Sequence, residues 1–169
     1  MRGQAASSTA ISRTIHSTPR QMVRRQRSFP LRNALRAKIT SMNPSGNPNV
    51  TIGLEWAWHS LTTNLPFQEA QLPASDLEKV IILLTDGDNT QNRWTNNGNT
   101  IDARTSAACA NIKAANIKLY TVRVINGDAA LLSACATNTG MYYNVTSASQ
   151  LNTVFASIAA QLTNLRLAQ

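Results

Sequence analysis

The run KVIILLT (79–85), followed by DGDNT (86–90), decides the fold of this chain of 169 residues. After its first lysine the run is aliphatic or β-branched and shows no polar alternation. Such a run is typical of a parallel strand covered on both faces, because both sets of side chains then need apolar surroundings. The Asp-Gly pair that follows marks the end of the strand.

Helix and strand patterns alternate on either side of this run. Upstream, Pro30 suits the first turn of a helix ending near Met42, turn-forming residues occupy 43–49, and a second helix is predicted over 50–61. Downstream, the patterns predict a helix over 101–115, a strand over 117–125, a short helix over 128–136, a short strand over 141–145 and a last helix capped by Ser147. This order predicts an α/β fold, a Rossmann-like parallel sheet with flanking helices.

Composition separates a basic arm from a nearly neutral body. Hydrophobic residues make up 43% of the chain and charged residues 14%, which argues against wholesale disorder. The net charge is +8, yet residues 1–40 hold nine basic and no acidic residues, whereas residues 41–169 hold seven basic and eight acidic ones. No apolar run approaches the ~20 residues of a membrane helix. Two cysteines are too few for a disulfide scaffold or a four-cysteine zinc site.

The arm itself, residues 1–29, is rich in Ser, Thr and Arg and lacks hydrophobic periodicity. We expect a solvated, disordered tail. Two alternatives are an organellar transit peptide and a segment whose Arg24, Arg25 and Arg27 contact phosphate non-specifically. We expect no secretory signal, because no apolar stretch of 7–15 residues follows the first arginines. Since the body carries no excess of basic residues, we expect no specific binding of nucleic acid.

Asp86 is the first candidate for a ligand-binding residue. It stands at the carboxyl end of the predicted strand, where open parallel sheets bind ligands. Beside the hydroxyl groups of Thr85 and Thr90, its carboxylate suits a hard cation such as Mg²⁺. An ordinary Asp-Gly turn explains the same residues equally well, and the pattern alone does not separate the two interpretations.

The pattern Asp86-x-Asp88-x-Thr90 after a hydrophobic strand resembles the nucleophile motif of haloacid-dehalogenase-like phosphotransferases. The resemblance implies a Mg²⁺-dependent enzyme in which Asp86 attacks phosphorus and Asp88 handles the proton of the leaving group. Lys113 or Lys118 would supply the later lysine of that family. Only Asp102 and Asp128 follow downstream, so the acidic pair that holds Mg²⁺ is missing, and this hypothesis ranks second.

A more extensive resemblance joins the runs VTIGLEWAWHSL (50–61), KVIILLTDGDNTQNRW (79–94) and ACANIKAANIKLYTV (108–122). These runs strongly resemble the C-terminal part of von Willebrand factor A domains, in the variant of TadG-like proteins of Tad/Flp pilus assembly. The resemblance marks 30–169 as an incomplete domain of this type. It implies a non-enzymatic, adhesion-type module that binds a pilus or envelope protein. It also implies an extracytoplasmic location, with membrane contact only through an anchor absent from this chain.

The resemblance defines a metal site that this sequence matches only in part. In A domains the site combines Asp-x-Ser-x-Ser, the threonine of a Gly-x-Thr-Asn turn and the aspartate of the strand-ending Asp-Gly pair. The last maps onto Asp86, and the turn maps onto 46–49, where Pro48 replaces the threonine. The first motif is absent, since Glu55 is the earliest acidic residue. The sequence therefore establishes no cofactor. We expect a vestigial site at Asp86 that binds Mg²⁺ at most weakly.

The first strands of A domains also have no counterpart before Val80. We expect a truncated or mis-started segment of a longer protein, in which residues 80–84 form an exposed apolar edge. Cys109 and Cys135 lie on predicted apolar faces of the helices that flank the strand over 117–125, which fits two buried thiols or a disulfide. The resemblance to an extracytoplasmic family favours the disulfide.

A partner is expected to dock at the carboxyl-end face of the sheet, where the loops 43–49, 86–100 and 125–128 should meet. The middle loop offers four binding residues: Asp88, Asn89, Arg93 and Trp94. Arginine and tryptophan are the types most enriched at interface hot spots. In the alternative interpretation, Trp94 folds back onto the sheet as a lid.

Overall fold

The computed structural model of the chain describes residues 29–43, 46–74 and 77–167. The predicted basic arm lies outside these residues except for Phe29, so its disorder and its phosphate contacts stay predictions. The chain divides into two compact units, Met1–Pro44 and Ser45–Gln169. In the first unit the structure describes one helix, α1, Phe29–Thr40. None of the described helices combines the length and the apolar character needed to cross a membrane.

The second unit is a parallel α/β sheet with helices on both faces. Its elements in chain order are α2 (Val50–Leu61), β1 (Val80–Thr85), α3 (Gly98–Ala114), β2 (Lys118–Val124), α4 (Ala129–Cys135), β3 (Tyr142–Val145) and α5 (Leu151–Leu167). Short 3₁₀ turns precede β3 and α5. The strands are parallel and follow the order β1-β2-β3. The predicted α/β fold with a parallel sheet is confirmed.

Local capping fixes where the helices begin and end. The side chain of Asn97 accepts the N–H of Thr100 at 3.3 Å and so caps the start of α3. Asn116 follows the end of this helix with a left-handed φ of 57°, the conformation expected there of asparagine. Ser147 and Gln150 form a capping box in front of α5. The cap at Asn97 thus starts α3 at Gly98, three residues before the predicted start at 101, whereas Asn116 and Ser147 mark helix boundaries where the sequence pattern placed them.

Helices cover both faces of the central strand, β2. On one face, α2, α3 and α4 bury a cluster that includes Leu54, Ile81, Leu83, Ile112, Leu119 and Leu132. On the other face, α5 packs Ile158 against Tyr120, Val122 and Val145. Because both faces are covered, even the polar Thr121 is fully buried, and its hydroxyl donates to the carbonyl oxygen of Leu132 at 2.8 Å.

Strand β1 departs from the prediction that it is covered on both faces. Ile81 and Leu83 are 5% and 9% exposed, whereas Ile82 and Leu84 are 40% and 44% exposed. The reason is position, because β1 is the edge strand of the described sheet and α5 packs over β2 and β3. Within the described residues, the expected apolar edge is therefore present.

Candidate functional site

Three loops meet at the carboxyl ends of the strands, where the docking face was predicted. The loop before α2 bonds to the loop after β1, since the N–H of Thr90 donates to the carbonyl oxygen of Pro48 at 3.2 Å. The loop after β2 lies beside Gly87, because a Cβ built on Gly127 would lie 3.6 Å from the carbonyl oxygen of Gly87. This end of the sheet thus carries one continuous surface, which we call the loop face (46–49, 86–97 and 125–128).

The oxygen atoms around Asp86 that could act as metal ligands do not form a tight site for a divalent cation. Pro48 packs against the Asp-Gly turn, and a Cβ built on Gly87 would lie 3.7 Å from its ring Cγ. The aliphatic part of a proline ring therefore stands where the matching threonine would offer a hydroxyl. The hydroxyl of Thr85 is engaged within the turn, since it donates to the carbonyl oxygen of Gly87 at 2.9 Å. Asp86 itself is exposed, so any cation there would keep mostly water ligands.

Asn89 lies inside the protein, which corrects its expected place among the residues that touch a partner. It is 5% exposed, and its Oδ1 accepts the N–H of Val50, at the start of α2, at 2.7 Å. Its Nδ2 donates to Asp102 Oδ1 at 2.7 Å and to Thr105 Oγ1 at 3.1 Å. A Cβ on Gly98 would approach the Asn89 carbonyl oxygen to 2.8 Å, which explains a glycine at the start of α3. Asn89 therefore ties the loop face to two helices.

Asn89 belongs to a small polar network that the sequence pattern did not single out. Thr51 Oγ1 lies 2.7 Å from Thr105 Oγ1, so α2 and α3 are linked directly as well as through Asn89. Thr105 is fully buried and also donates to the carbonyl oxygen of Ile101 at 3.1 Å. The positions of Thr51 and Thr105 along their helices give no local sign that their hydroxyl groups pair. Only their partners, far away in the chain, reveal it.

The next part of the loop is a built turn that presents Trp94 to solvent. The side-chain oxygen of Asn92 accepts the N–H groups of Trp94 and Thr95, both at 2.8 Å. The Trp94 side chain is 77% exposed, so it does not form the lid over the sheet that was the alternative interpretation. The Arg104 guanidinium lies 5.7 Å from the centre of its ring, within cation–π range. Arg93 and Asp88 are exposed on the same loop.

The loop after β2 carries backbone strain. Ile125 is 51% exposed and has a φ of 57°, a left-handed conformation that β-branched residues avoid. Such a residue costs about 1–3 kcal/mol and persists only where its surroundings hold it. Its N–H donates to the carbonyl oxygen of Val145 at 2.7 Å, and Arg123 Nε donates to that of Gly127 at 2.6 Å. The strain thus lies in the loop that borders Gly87.

Cys109 on α3 and Cys135 on α4 are joined by a disulfide in this structure. Their Cα atoms lie 5.2 Å apart, and both side chains are almost completely buried. The bond connects the helices before and after β2, the arrangement that the family resemblance favoured over two free thiols. It fixes the helix layer behind the loop face.

The lysines of the phosphotransferase hypothesis lie at the wrong end of the sheet. Lys118 pairs in register with Val80, the first residue of β1, and forms an ion pair with Glu78. Lys113, in the last turn of α3, donates to the carbonyl oxygen of Ala134 at 2.8 Å. A strand of six residues spans about 20 Å. About that distance separates Lys118 from Asp86, and the last turn of α3 leads into the same end of β2, so the structure brings neither candidate lysine to Asp86.

Comparisons with known proteins agree with this architecture. The family model "von Willebrand factor type A domain" matches residues 15–157. Similar solved structures include proximal thread matrix protein 1 from the mussel byssus in crystal form 2, with 18% identity and a TM-score of 0.51 over 75% of this chain and 27% of that one. A structure of the same mussel protein with a zinc-occupied MIDAS motif shows 19% identity and a TM-score of 0.51, over 75% and 28%. A search of curated proteins finds no match.

At this identity the structural likeness shows the fold alone, and the chain spans roughly a quarter of the length of the mussel protein, 27–28%. The family match covers well over half of the chain and includes the loop face, β1, β2 and β3. The chain belongs to the von Willebrand factor type A domain family.

Proposed function

We propose that this chain is a protein-binding module of adhesion type and part of a TadG-like protein of Tad/Flp pilus assembly. Domains of this family are in general protein-interaction modules. The observation that carries the proposal is the loop face, where a hydrogen-bonded frame presents Arg93 and Trp94 to solvent. Large side chains with hydrogen-bond donors on a fixed frame suit recognition of a protein surface.

Partner binding at this face is proposed to proceed without a metal ion. The mussel structure carries zinc in its MIDAS motif. In the present chain, the Pro48 ring beside Gly87 and the engaged hydroxyl of Thr85 leave Asp86 as the carboxylate of a degenerate site. The loop side chains then supply the contacts that a shared cation would otherwise make. The same geometry supports a non-enzymatic role, because Lys118, a candidate lysine of the enzyme hypothesis, lies at the opposite end of the sheet from Asp86.

The proposed setting is the extracytoplasmic face of the inner membrane, with a pilus or envelope protein as the partner. The disulfide between Cys109 and Cys135 supports this setting, because such bonds persist in oxidising compartments. The resemblance of the runs 50–61, 79–94 and 108–122 to TadG-like proteins supports the pilus system.

A binding measurement tests the proposal. We expect purified pilin subunits of a Tad/Flp system to bind the immobilised chain saturably in biolayer interferometry, with the same affinity in EDTA and in Mg²⁺. The double variant Arg93→Ala, Trp94→Ala should weaken binding by about tenfold or more, as loss of hot-spot residues does. Ser157→Ala, an exposed position on α5, serves as the control and should have no effect. Absence of binding, or binding that EDTA removes and Mg²⁺ restores, contradicts the proposal.

Two further measurements address the metal and the enzyme hypotheses directly. Isothermal titration with Mg²⁺ or Mn²⁺ should show no site at sub-millimolar metal; a tight stoichiometric site that Asp86→Ala abolishes would overturn the degenerate assignment. Hydrolysis of para-nitrophenyl phosphate with Mg²⁺ should not exceed the buffer rate. Turnover that Asp86→Asn removes would show that the chain is an enzyme after all.

A further inference from the structure

A groove of about 560 Å³ lies between helix α2 and the loop that follows β1. Its first wall is the outer stripe of α2, formed by Ile52, Glu55, Trp56 and His59 at helical spacing. Its second wall is formed by Trp94 on the loop and Arg104 on α3. The volume falls in the range of about 300–1,000 Å³ that ligand-binding clefts occupy.

Two tryptophan side chains of the groove are largely exposed to solvent and are not part of the buried core. Trp56 is 53% exposed, and its ring centre lies 5.6 Å from that of Phe67. Trp94 is 77% exposed on the turn that Asn92 holds in place. By contrast, Trp58 on the inner side of α2 packs against the buried cluster. Two adjacent exposed aromatic side chains on a fixed backbone offer a large contact area at low cost in conformational entropy.

The charges around the groove favour an acidic ligand. Neither Arg93 nor Arg104 forms an ion pair with a carboxylate among residues 29–43, 46–74 and 77–167. Arg104 instead lies over the Trp94 ring. The single carboxylate in the lining, Glu55, is 4.0 Å from His59 Nε2 on the same helix. The carboxylate of Glu55 and the two guanidinium groups together give the lining a net charge of +1, and both guanidinium groups have hydrogen-bond donors to offer.

The neutral polar side chains of the lining favour a peptide over a sugar. Thr51 is paired with Thr105, and the side-chain oxygen of Asn49 accepts the N–H of Ile52. The side-chain oxygen of Asn92 is taken by the turn that holds Trp94. The unengaged polar groups of the lining are thus mainly the two guanidinium groups, which suit a carboxylate better than the hydroxyl groups of a saccharide. Aromatic-lined grooves instead accept extended, proline-containing segments, which lose little entropy on binding.

We propose that this groove binds an extended, acidic, proline-containing peptide segment of the partner protein. Proline rings would stack on Trp56 and Trp94, and a carboxylate would pair with Arg104 or Arg93. This inference rests on the proposed function in needing a protein partner, and adds the chemistry of the segment that is recognised. The groove lies where α2 and α3 meet the Arg93–Trp94 part of the loop face.

Fluorescence anisotropy with defined peptides tests the proposal on the full chain. The probe is a fluorescein-labelled peptide in which proline and leucine alternate with glutamate, and the matched peptide carries glutamine instead of glutamate. We expect saturable binding of the acidic peptide, about tenfold weaker for the glutamine peptide and weakened further as salt screens the charges. Trp56→Ala and Arg104→Gln should each weaken binding by about tenfold. Lys113→Gln removes the same charge from α3 outside the groove and should leave binding unchanged.

The indole N–H signals provide a second readout that is independent of affinity. In ¹⁵N-labelled chain, the acidic peptide should shift the Trp56 and Trp94 indole signals. The Trp58 indole nitrogen is buried, so its signal serves as an internal control. Unchanged Trp56 and Trp94 signals at saturation, equal binding to Trp56→Ala, or tighter binding of a neutral oligosaccharide would each overturn the proposal.

The two proposals fail separately. Pilin binding that is unaffected by Trp56→Ala and Arg104→Gln would remove the groove from the interaction and leave the loop face intact. Peptide binding in the absence of any pilin binding would support the groove and contradict the pilus role.

Discussion

Replacing Asn89 with alanine should destabilise the domain far more than its position in a polar loop suggests. The side chain is 5% exposed and makes three hydrogen bonds, to Val50 N–H, Asp102 Oδ1 and Thr105 Oγ1. Alanine would leave the first-turn N–H of α2 without a partner at a helix end where such donors are already in excess. It would also strip a half-buried carboxylate of a 2.7 Å bond.

The magnitude follows from these three contacts. A neutral hydrogen bond contributes about 1 kcal/mol and a bond to a charged group about 1.5–3 kcal/mol. Thr105 keeps two other partners, Thr51 and the Ile101 carbonyl, so the loss there is small. Water entering the space left by the amide offsets part of the loss at Asp102. We therefore expect a decrease of about 2–3 kcal/mol in the free energy of unfolding.

Urea unfolding followed by far-UV circular dichroism measures this decrease. At the slope expected for a small domain, the midpoint should fall by about 1–2 M. Asn96→Ala provides the matched control, because Asn96 is exposed on the same loop and should lose less than about 0.5 kcal/mol. If Asn89→Ala and Asn96→Ala unfold at the same midpoint, Asn89 does not connect the loop to the two helices and our account of the loop face is wrong.

Three other predictions follow from the core, the disulfide and the sheet edge. Reducing the disulfide, which spans 26 residues, should lower the free energy of unfolding by about 3–4 kcal/mol in the chain-entropy model. Urea unfolding with and without a phosphine reductant measures this decrease. The reductant should not change the stability of a Cys109→Ala, Cys135→Ala variant. Burial raises the pKa of Tyr120, with Tyr143 and Glu78 adding to the effect. The native state therefore keeps the Tyr120 phenol protonated to higher pH than the unfolded chain does. The corresponding stability is present below about pH 10 and is lost as the pH rises further. Urea midpoints should therefore fall less steeply with rising pH in Tyr120→Phe than in the unchanged chain. Ile82→Lys should reduce self-association in light scattering with little loss of stability, because Ile82 is 40% exposed on the edge strand, whereas Ile81→Lys at 5% exposure should unfold the domain.

Sequence patterns predicted the architecture because the relevant signals are local. The apolar run at 79–85 forms β1, and Ser147 precedes the last helix as a member of a capping box. Asn116 ends α3 in the left-handed conformation expected of it. Each of these outcomes depends on neighbours within a few residues. The meeting of the three loops then followed from parallel strand order alone.

The fate of individual side chains was predictable only in part. Pro48 was placed beside the Asp-Gly turn by motif correspondence, and its ring does lie 3.7 Å from the position of a Gly87 Cβ. Asn89 was grouped with the exposed loop residues, yet it is buried. Its neighbours along the chain are polar and turn-forming, so they gave no sign that its amide points inward.

The sequence by itself therefore determined which segments form helices and strands, and the tertiary structure decided which side chains face solvent. One face of strand β1 is exposed because α5 packs on β2 and β3 and leaves β1 largely uncovered. The residues of β1 do not themselves decide this. The Asn89 network joins residues 39 positions apart, and the Thr51–Thr105 pair spans 54. The groove likewise brings Trp56 on α2 and Trp94 on the loop together. Periodicity reports the environment that an element needs, whereas burial, hydrogen-bond partners and grooves arise from surfaces that meet only when distant elements pack.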